Sequence, residues 1–213
     1  MDIPKEKPLD LLVSDIMGPS DHDPQGFQYL LTIHDHALTF SIVYRLKSRS
    51  DALAAVLDAM RHLTVQLGTS PKTLQTDNAR EFVSMTFTTV LTKFGIGFYP
   101  SLPYFPQENG KAERLNCTLR DMARAMLAQS GMPMRFWKFA YASACYLHNQ
   151  LPNQQCPNSS PHQVLYSWPP SIATLYPFRE VAVVHVPAVQ KQQKLAARGI
   201  KCRLIKPLLA SGS

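Results

Sequence analysis

The sequence lacks the features of a membrane-spanning or disulfide-stabilised protein. No segment is both apolar and free of charge for about 18 residues, the length at which a membrane-spanning helix is expected. The first ten residues, MDIPKEKPLD, have no apolar core of a signal peptide. The four cysteines are widely spaced and form no CxxC pair, so neither a zinc site nor a disulfide framework is indicated. We therefore expect a reduced, intracellular protein with no membrane partner.

Acidic residues are missing from one part of the chain, residues 188–213. The whole sequence has 22 Lys and Arg against 15 Asp and Glu, a formal net charge of +7. Six of the basic residues lie in residues 188–213, so the first 187 residues are nearly neutral. A basic tail indicates a polyanionic partner such as nucleic acid, and a merely solubilising tail is the alternative.

Apolar, β-prone segments alternate with segments of helical periodicity. The first helical segment, residues 48–68, is expected to have Ser50 as its N-terminal cap and to end at Gly68. Residues 101–110, SLPYFPQENG, are expected to form a loop. The order predicts an α/β fold with a mixed sheet. The patterns indicate strands over residues 9–15, 27–35, 40–46, 72–77, 96–100 and 180–187, and helices over residues 48–68, 84–95, 111–130, 134–151 and 159–166.

Three acidic residues stand where predicted elements begin or end. Asp15 ends the first strand, Asp77 ends the fourth, and Glu113 lies in the first turn of the long helix, with 35 residues between the last two. Taken alone, Asp77 could belong to a solvated turn in TDNAREF, and Glu113 could be a helix N-terminal charge favoured by the macrodipole. The segments around the three acids are needed to decide between these interpretations and a shared site.

The surrounding segments resemble the copia-type retrotransposon integrases and, more widely, the retroviral integrase core. The matching pieces are SDIMGP, YLLTIHDHA, YRLKSRSDA, TDNAREF and PYFPQENGKAERLNCTLRDMARAML, and the resemblance runs from about Leu9 to Phe178. It implies an RNase H-like five-stranded mixed sheet flanked by helices. It also implies an enzyme that processes and joins DNA ends in the nucleus as a homo-oligomer.

The resemblance implies that Asp15, Asp77 and Glu113 are catalytic residues that hold two Mg²⁺ or Mn²⁺ ions. Mg²⁺ prefers carboxylate oxygens, and paired ions can activate the attacking oxygen and stabilise the leaving one in phosphodiester chemistry. Other acids fit this role less well. Glu108 falls in the predicted loop, Glu81 is expected to pair with a base or the backbone, and Asp10 should point away from Asp15.

The long helix is predicted to have a polar, positively charged stripe and an apolar core-facing side. Glu113, Cys117, Arg120 and Arg124 fall on the polar stripe, opposite Leu115, Leu119, Met122 and Met126. This stripe, the loop amides and the tail are the predicted DNA interface. The predicted DNA-binding residues are Gln107, Asn109, Lys111, Arg114, Arg120, Arg124, Lys191, Lys194, Arg198 and Lys201.

Some positions depart from the family pattern. Cys117 stands where members often carry a basic residue, and His34 and His36 stand in IHDH where members commonly read IDD. We interpret the two histidines as ordinary strand-end residues. We predict a catalytic core over residues 1–166, a linker with a short strand over 167–187, and a basic tail over 188–213 that begins a small β-rich module. A non-catalytic DNA-binding or assembly remnant is the alternative function.

Overall fold

A mixed five-stranded sheet forms the centre of the protein. In this computed structural model the described residues are 7–77, 81–82, 84–100, 110–171, 175–185 and 199–205. The strand order in the sheet is β3-β2-β1-β4-β5, which confirms the mixed sheet predicted from the sequence. The strands are β1 (Leu12–Met17), β2 (Tyr29–Asp35), β3 (Ser41–Leu46), β4 (Thr73–Thr76) and β5 (Gly97–Pro100).

The strand directions follow from the connections. Strands β1, β2 and β3 are antiparallel neighbours joined by turns, whereas β4 lies parallel to β1 and β5 lies parallel to β4. Parallel neighbours need a crossover, and helices supply it here. The helices are α1 (Ala52–Leu67), α2 (Met85–Lys93), α3 (Gly110–Ser130), α4 (Trp137–Gln150) and α5 (Pro161–Tyr166).

Helices cover both faces of the sheet, and the core has two main parts. Successive strand residues point to opposite faces. Leu31 therefore packs with residues of α1, α2 and α5, whereas its neighbour Leu30 packs with Leu119 of α3 and Tyr141 of α4. Because both faces are covered, six of the seven residues of β2 are buried, and the polar Thr32, His34 and Asp35 are among them.

Among the boundaries that differ from the sequence-based prediction, two have a clear local cause. Strand β1 begins at Leu12 rather than at residue 9, because Leu9 has a φ of 66° and Asp10 closes a turn on Lys7. Asp15 consequently lies inside the strand and not at its end. A one-turn 3-10 helix, Arg49–Asp51, precedes α1, and its cap is Ser48 rather than Ser50. The side chain of Asp51 returns to the Ser48 backbone, which makes a reciprocal capping box.

A second, two-stranded sheet follows the core. It pairs β6 (Val181–His185) with β7 (Gly199–Arg203) in antiparallel register. The strand predicted near residue 180 is confirmed, while β7 was not predicted as a strand. Just before β6, Phe178 packs against the α3 and α4 cluster and the Arg179 guanidinium donates to the Ser130 carbonyl. The predicted domain boundaries stay a prediction. Among the described residues, no helix has the length and apolarity to cross a bilayer.

Candidate active site

The sheet places two of the predicted catalytic residues on adjacent parallel strands. Ser14 of β1 is the register partner of Thr76 of β4, so Asp15 and Asp77 are the residues that follow on each strand. Asp77 comes immediately after the last residue of β4, one residue beyond the strand that it was predicted to end. The sequence separates the two aspartates by a meander and a helix, and the parallel pairing of β1 with β4 brings their backbones together.

Helix α3 brings its first turns to the same strand. The Asn116 side-chain amide donates from Nδ2 to Oδ2 of Asp15 over 3.2 Å. Glu113 is exposed and lies three residues earlier, on the adjoining turn of the same helix. The hydrogen bond therefore fixes the start of α3 over the middle of β1, with Glu113 at the N-terminal side of the contact.

The electrostatics of Asp15 reflect this grouping. Burial raises the pKa of the Asp15 carboxyl, the charge of Asp77 raises it further, and the charge of Glu113 adds a smaller effect in the same direction. The backbone N–H of Ile16 and the charge of Arg120 lower the pKa of Asp15 in part. Negative charge is thus concentrated around a partly buried carboxylate, an environment that a bound cation would relieve.

The three carboxylates do not form a closed ligand shell. Within the described ranges, no group of three or more His, Cys, Asp or Glu residues is close enough to hold a metal ion. Asp77 is followed by residues 78–80 and α3 is preceded by residues 101–109, which lie outside the described parts of the chain. The donor chemistry nevertheless suits Mg²⁺ or Mn²⁺, because all three predicted ligands are hard carboxylate oxygens.

The predicted DNA-binding residues divide by location. Arg114, Arg120 and Arg124 are exposed on α3, on the side away from the buried Leu115 and Leu119, so the predicted two-sided helix is confirmed. Lys111 donates from Nζ to the His36 carbonyl over 3.2 Å. The remaining tail residue inside the described ranges is Lys201, which lies exposed on β7. Gln107, Asn109, Lys191, Lys194 and Arg198 lie outside the described residues.

An open groove lies between the end of β1 and helices α3 and α4, and Met17, two residues after Asp15 on β1, is part of its lining. Its volume is about 520 Å³, and its floor is mainly apolar. Arg124 forms a surface ion pair with Asp121 at 3.1 Å, of a kind worth about 0–1 kcal/mol, so a phosphate could replace that partner. The groove is lined on its charged side by Arg120 and Arg124 and on its apolar side by Met17, Leu127, Trp137 and Tyr141.

Two of the competing acids are engaged elsewhere, and the third, Glu108, lies outside the described residues. Asp10 accepts from Nζ of Lys72 at 2.7 Å, and Glu81 pairs with Arg49 at 2.5 Å. The same Arg49 donates to the carbonyl of Gly18 at 3.3 Å. Arg49 thereby ties the segment after Asp77 to the segment after β1. The predicted pairing of Glu81 with a base is confirmed, and the partner lies 32 residues earlier in the sequence.

Sequence reasoning missed a buried polar group behind Asp15. His34 is the last but one residue of β2, as the strand-end interpretation expected, but only 2% of its surface is exposed and its ring is hydrogen-bonded inside the core. Its ring contacts Ser41 on one side and Asn116 on the other. Tyr141 of α4 also donates to Asn116. One available signal was that Asn116 is a polar residue among the apolar core-facing positions of α3, where a buried amide needs partners.

The fold has a counterpart among solved structures. It aligns with a chain from a cryoEM structure of the simian T-cell lymphotropic virus intasome in complex with PP2A regulatory subunit B56 gamma. The TM-score is 0.60 at 20% identity, over 97% of this chain and 70% of that chain. The mixed five-stranded sheet flanked by helices is an RNase H-like fold, as the sequence predicted.

The sequence comparisons define the family. Residues 5–106 match the family model described as "Integrase core domain". The chain is 32% identical over 92% of its length to a retrovirus-related Pol polyprotein from transposon TNT 1-94 of Nicotiana tabacum, and 28% identical over 83% to that from transposon RE2 of Arabidopsis thaliana. It spans 15% and 12% of those polyproteins. The chain belongs to the retroviral integrase superfamily and carries its core.

Proposed function

We propose that this chain is the catalytic core of a copia-type retrotransposon integrase, which processes DNA ends and joins them to target DNA. The observation that carries the proposal is the grouping of Asp15 and Asp77 on adjacent parallel strands beneath the turn of α3 that follows Glu113. Membership of the integrase superfamily supplies the reaction class. On this proposal the protein acts in the nucleus as a homo-oligomer.

The three carboxylates would hold divalent metal. Asp15, Asp77 and Glu113 present only oxygen donors, which suit Mg²⁺ and Mn²⁺. When bound, such ions polarise a phosphoryl oxygen and lower the pKa of a coordinated water or hydroxyl. The raised pKa of the Asp15 carboxyl supports the proposal, because carboxylates crowded by like charge gain stability when a cation joins them.

The rest of the site would bind and orient DNA. Arg120 and Arg124 border the groove, and their guanidinium groups suit two phosphates of a strand entering it. The charge of Arg120 also acts on the Asp15 carboxyl, whose pKa it lowers in part. The apolar floor, which includes Trp137, can exclude water from one side of the reacting phosphodiester. Phosphate contacts of this kind position the strand without reading its sequence.

The experiment that tests the proposal is strand transfer on labelled duplex oligonucleotides that carry retrotransposon-type ends. The protein is assayed with Mg²⁺, with Mn²⁺ and with excess chelator, together with the reverse reaction on a branched substrate. We expect product only in the two metal samples. DNA binding without product under all conditions would contradict catalysis and support the alternative of a non-catalytic binding or assembly remnant.

A further inference from the structure

A chain of buried hydrogen bonds leads from the third strand of the sheet to Asp15. Ser41 Oγ lies 2.7 Å from Nδ1 of His34, and Nε2 of His34 lies 2.9 Å from Oδ1 of Asn116. The Tyr141 hydroxyl donates to the same Asn116 oxygen at 2.8 Å. The other end of the Asn116 amide donates to Asp15 at 3.2 Å. The chain joins β3, β2, α4, α3 and β1.

Only one arrangement of protons satisfies every donor and acceptor in this series of hydrogen bonds. An ionised Asp15 can only accept, so Asn116 must turn its NH₂ toward it and its oxygen away. That oxygen then accepts from Tyr141 and from His34, which requires the His34 proton on Nε2. Nδ1 of His34 is left to accept from the Ser41 hydroxyl. Charge on Asp15 and the tautomer of His34 are therefore linked through one amide.

We propose that His34 and Tyr141 are positioning residues, which fix through the Asn116 amide the orientation of the Asp15 carboxylate toward the metal. This inference rests on the proposed role of Asp15 as a metal ligand. The two donors hold the amide oxygen from two different elements, so the amide cannot rotate without breaking two buried hydrogen bonds. A buried donor left without a partner is costly, which gives the orientation its stability.

The burial of the group supports a positioning function over a solvent-exposed one. Asn116 is 6% exposed, His34 2% and Tyr141 0%, so water does not compete for these bonds. Burial also lowers the pKa of His34 to about 4, which keeps its ring neutral and its single proton available for Asn116 near neutral pH. Outer partners that orient metal ligands typically contribute about 10–100-fold to metal affinity or activity.

The test compares replacements that keep or remove the donor at the position of Nε2. The variants are His34→Gln, whose amide N–H can reach the place of the ring N–H, His34→Leu, which has no donor, and Tyr141→Phe, which loses one of the two donors. Once the ring is removed, the single proton of the Ser41 hydroxyl can be donated to the Thr39 carbonyl at 3.1 Å, so His34→Leu leaves the hydroxyl satisfied. Mn²⁺ affinity, strand transfer and thermal unfolding are measured for each.

We expect His34→Leu to lose about 10–100-fold in Mn²⁺ affinity, His34→Gln to restore most of it, and the double variant His34→Leu with Tyr141→Phe to lose more than either single change. If His34→Gln and His34→Leu lose Mn²⁺ affinity equally, and in proportion to the decrease in their melting temperatures, the positioning role is contradicted and His34 has only a structural role.

Nitrogen-15 NMR of the histidine rings supplies a readout that is independent of metal and DNA. The wild type should show His34 as the neutral tautomer protonated on Nε2. Protonation on Nδ1 would overturn the hydrogen-bond order and with it the proposal. An Nε2-protonated ring in a wild-type protein that binds no Mn²⁺ would support the chain of hydrogen bonds and contradict the proposed function instead.

Discussion

At the scale of the residue, the site is distinguished by polar groups that are buried yet satisfied. Protein interiors tolerate polar side chains only where each donor and acceptor has a partner. His34 and Asn116 meet this condition by bonding each other and their neighbours, and the last bond of the series reaches Asp15. These hydrogen bonds offset the free-energy cost of burying the polar groups. As a result, the Asp15 carboxylate is held in place by a buried hydrogen bond from Asn116.

Burial of His34 makes stability depend on pH. Its pKa in the folded protein is lowered to about 4, against a usual value of about 6.5 in the unfolded chain. Below about pH 6.5, His34 binds a proton in the unfolded chain but not in the folded protein. The free energy of unfolding should therefore fall as the pH decreases from about 6.5 toward 4. Above about pH 6.5 this contribution is constant.

Urea denaturation at about pH 7 and about pH 4.5 measures this effect. His34→Gln cannot titrate, so its loss of stability between the two pH values should be smaller than that of the wild type. Burial also lowers the pKa of His148 and His162, and these residues remain in both proteins. The difference between the two proteins therefore reports the titration of His34 together with its electrostatic coupling to His148, and equal losses would mean that His34 titrates normally in the folded state.

At the scale of the element, the two faces of helix α3 differ in their environment: one packs in the core and the other is exposed. Leu115, Leu119 and Ala123 pack against α4, while Glu113 and Arg120 face outward. The apolar face of α3 packs against α4, and this packing fixes the position of the polar face relative to β1. Function on the outer face depends on packing on the inner one.

Leu119→Ala tests the docking of α3. Leu119 is fully buried in the cluster between α3 and α4. Removing its side chain from the core should lower the free energy of unfolding by about 2–5 kcal/mol. Chemical denaturation measures the change. Thr118→Ala, on the neighbouring exposed position of the same helix, is the matched control and should change the stability by less than about 0.5 kcal/mol.

The positions of helices and strands were largely predictable, because hydrophobic periodicity and the residues that cap helices or form turns act locally. Gly68 has a φ of 66° at the end of α1, as the sequence indicated. Ser160 caps α5 ahead of Pro161, at the start of a segment predicted to be helical. The cap at Ser48 was misplaced by two residues, because Ser48 and Ser50 both suit that role and the reciprocal bonds between Ser48 and Asp51 decide between them. The bonds of Asn116 were not predictable, because its partners lie on three other elements, β1, β2 and α4.

At the scale of the whole molecule, the core and the basic tail differ in charge. Every acidic residue lies in the first 187 residues, whereas residues 188–213 carry only positive charge. On the proposed function, this distribution separates metal binding by the core from much of the DNA binding. The two-stranded sheet spans the boundary between them, because β6 precedes the tail and β7 belongs to it. Phe178 and Arg179, just before β6, contact α3.

The tail prediction concerns the salt dependence of DNA affinity. The triple variant Lys191→Gln, Lys194→Gln and Arg198→Gln removes three charges and leaves the residues of β7 unchanged. The slope of log affinity against log salt should flatten by about 0.9 for each phosphate that the tail no longer neutralises. Fluorescence anisotropy with duplex DNA measures it. Lys93→Gln, at the exposed end of α2, is the control, and an unchanged slope in the triple variant would indicate a solubilising tail.

The central claim is that Glu113 completes a metal site with Asp15 and Asp77. The most direct measurement is strand transfer by Glu113→Gln beside Asp121→Asn, which makes the same change of charge on the same exposed face of α3. A neutral amide is a poor ligand for Mg²⁺, so Glu113→Gln should lose transfer while it retains DNA binding, and Asp121→Asn should keep both. Transfer at the wild-type rate by Glu113→Gln would contradict the claim.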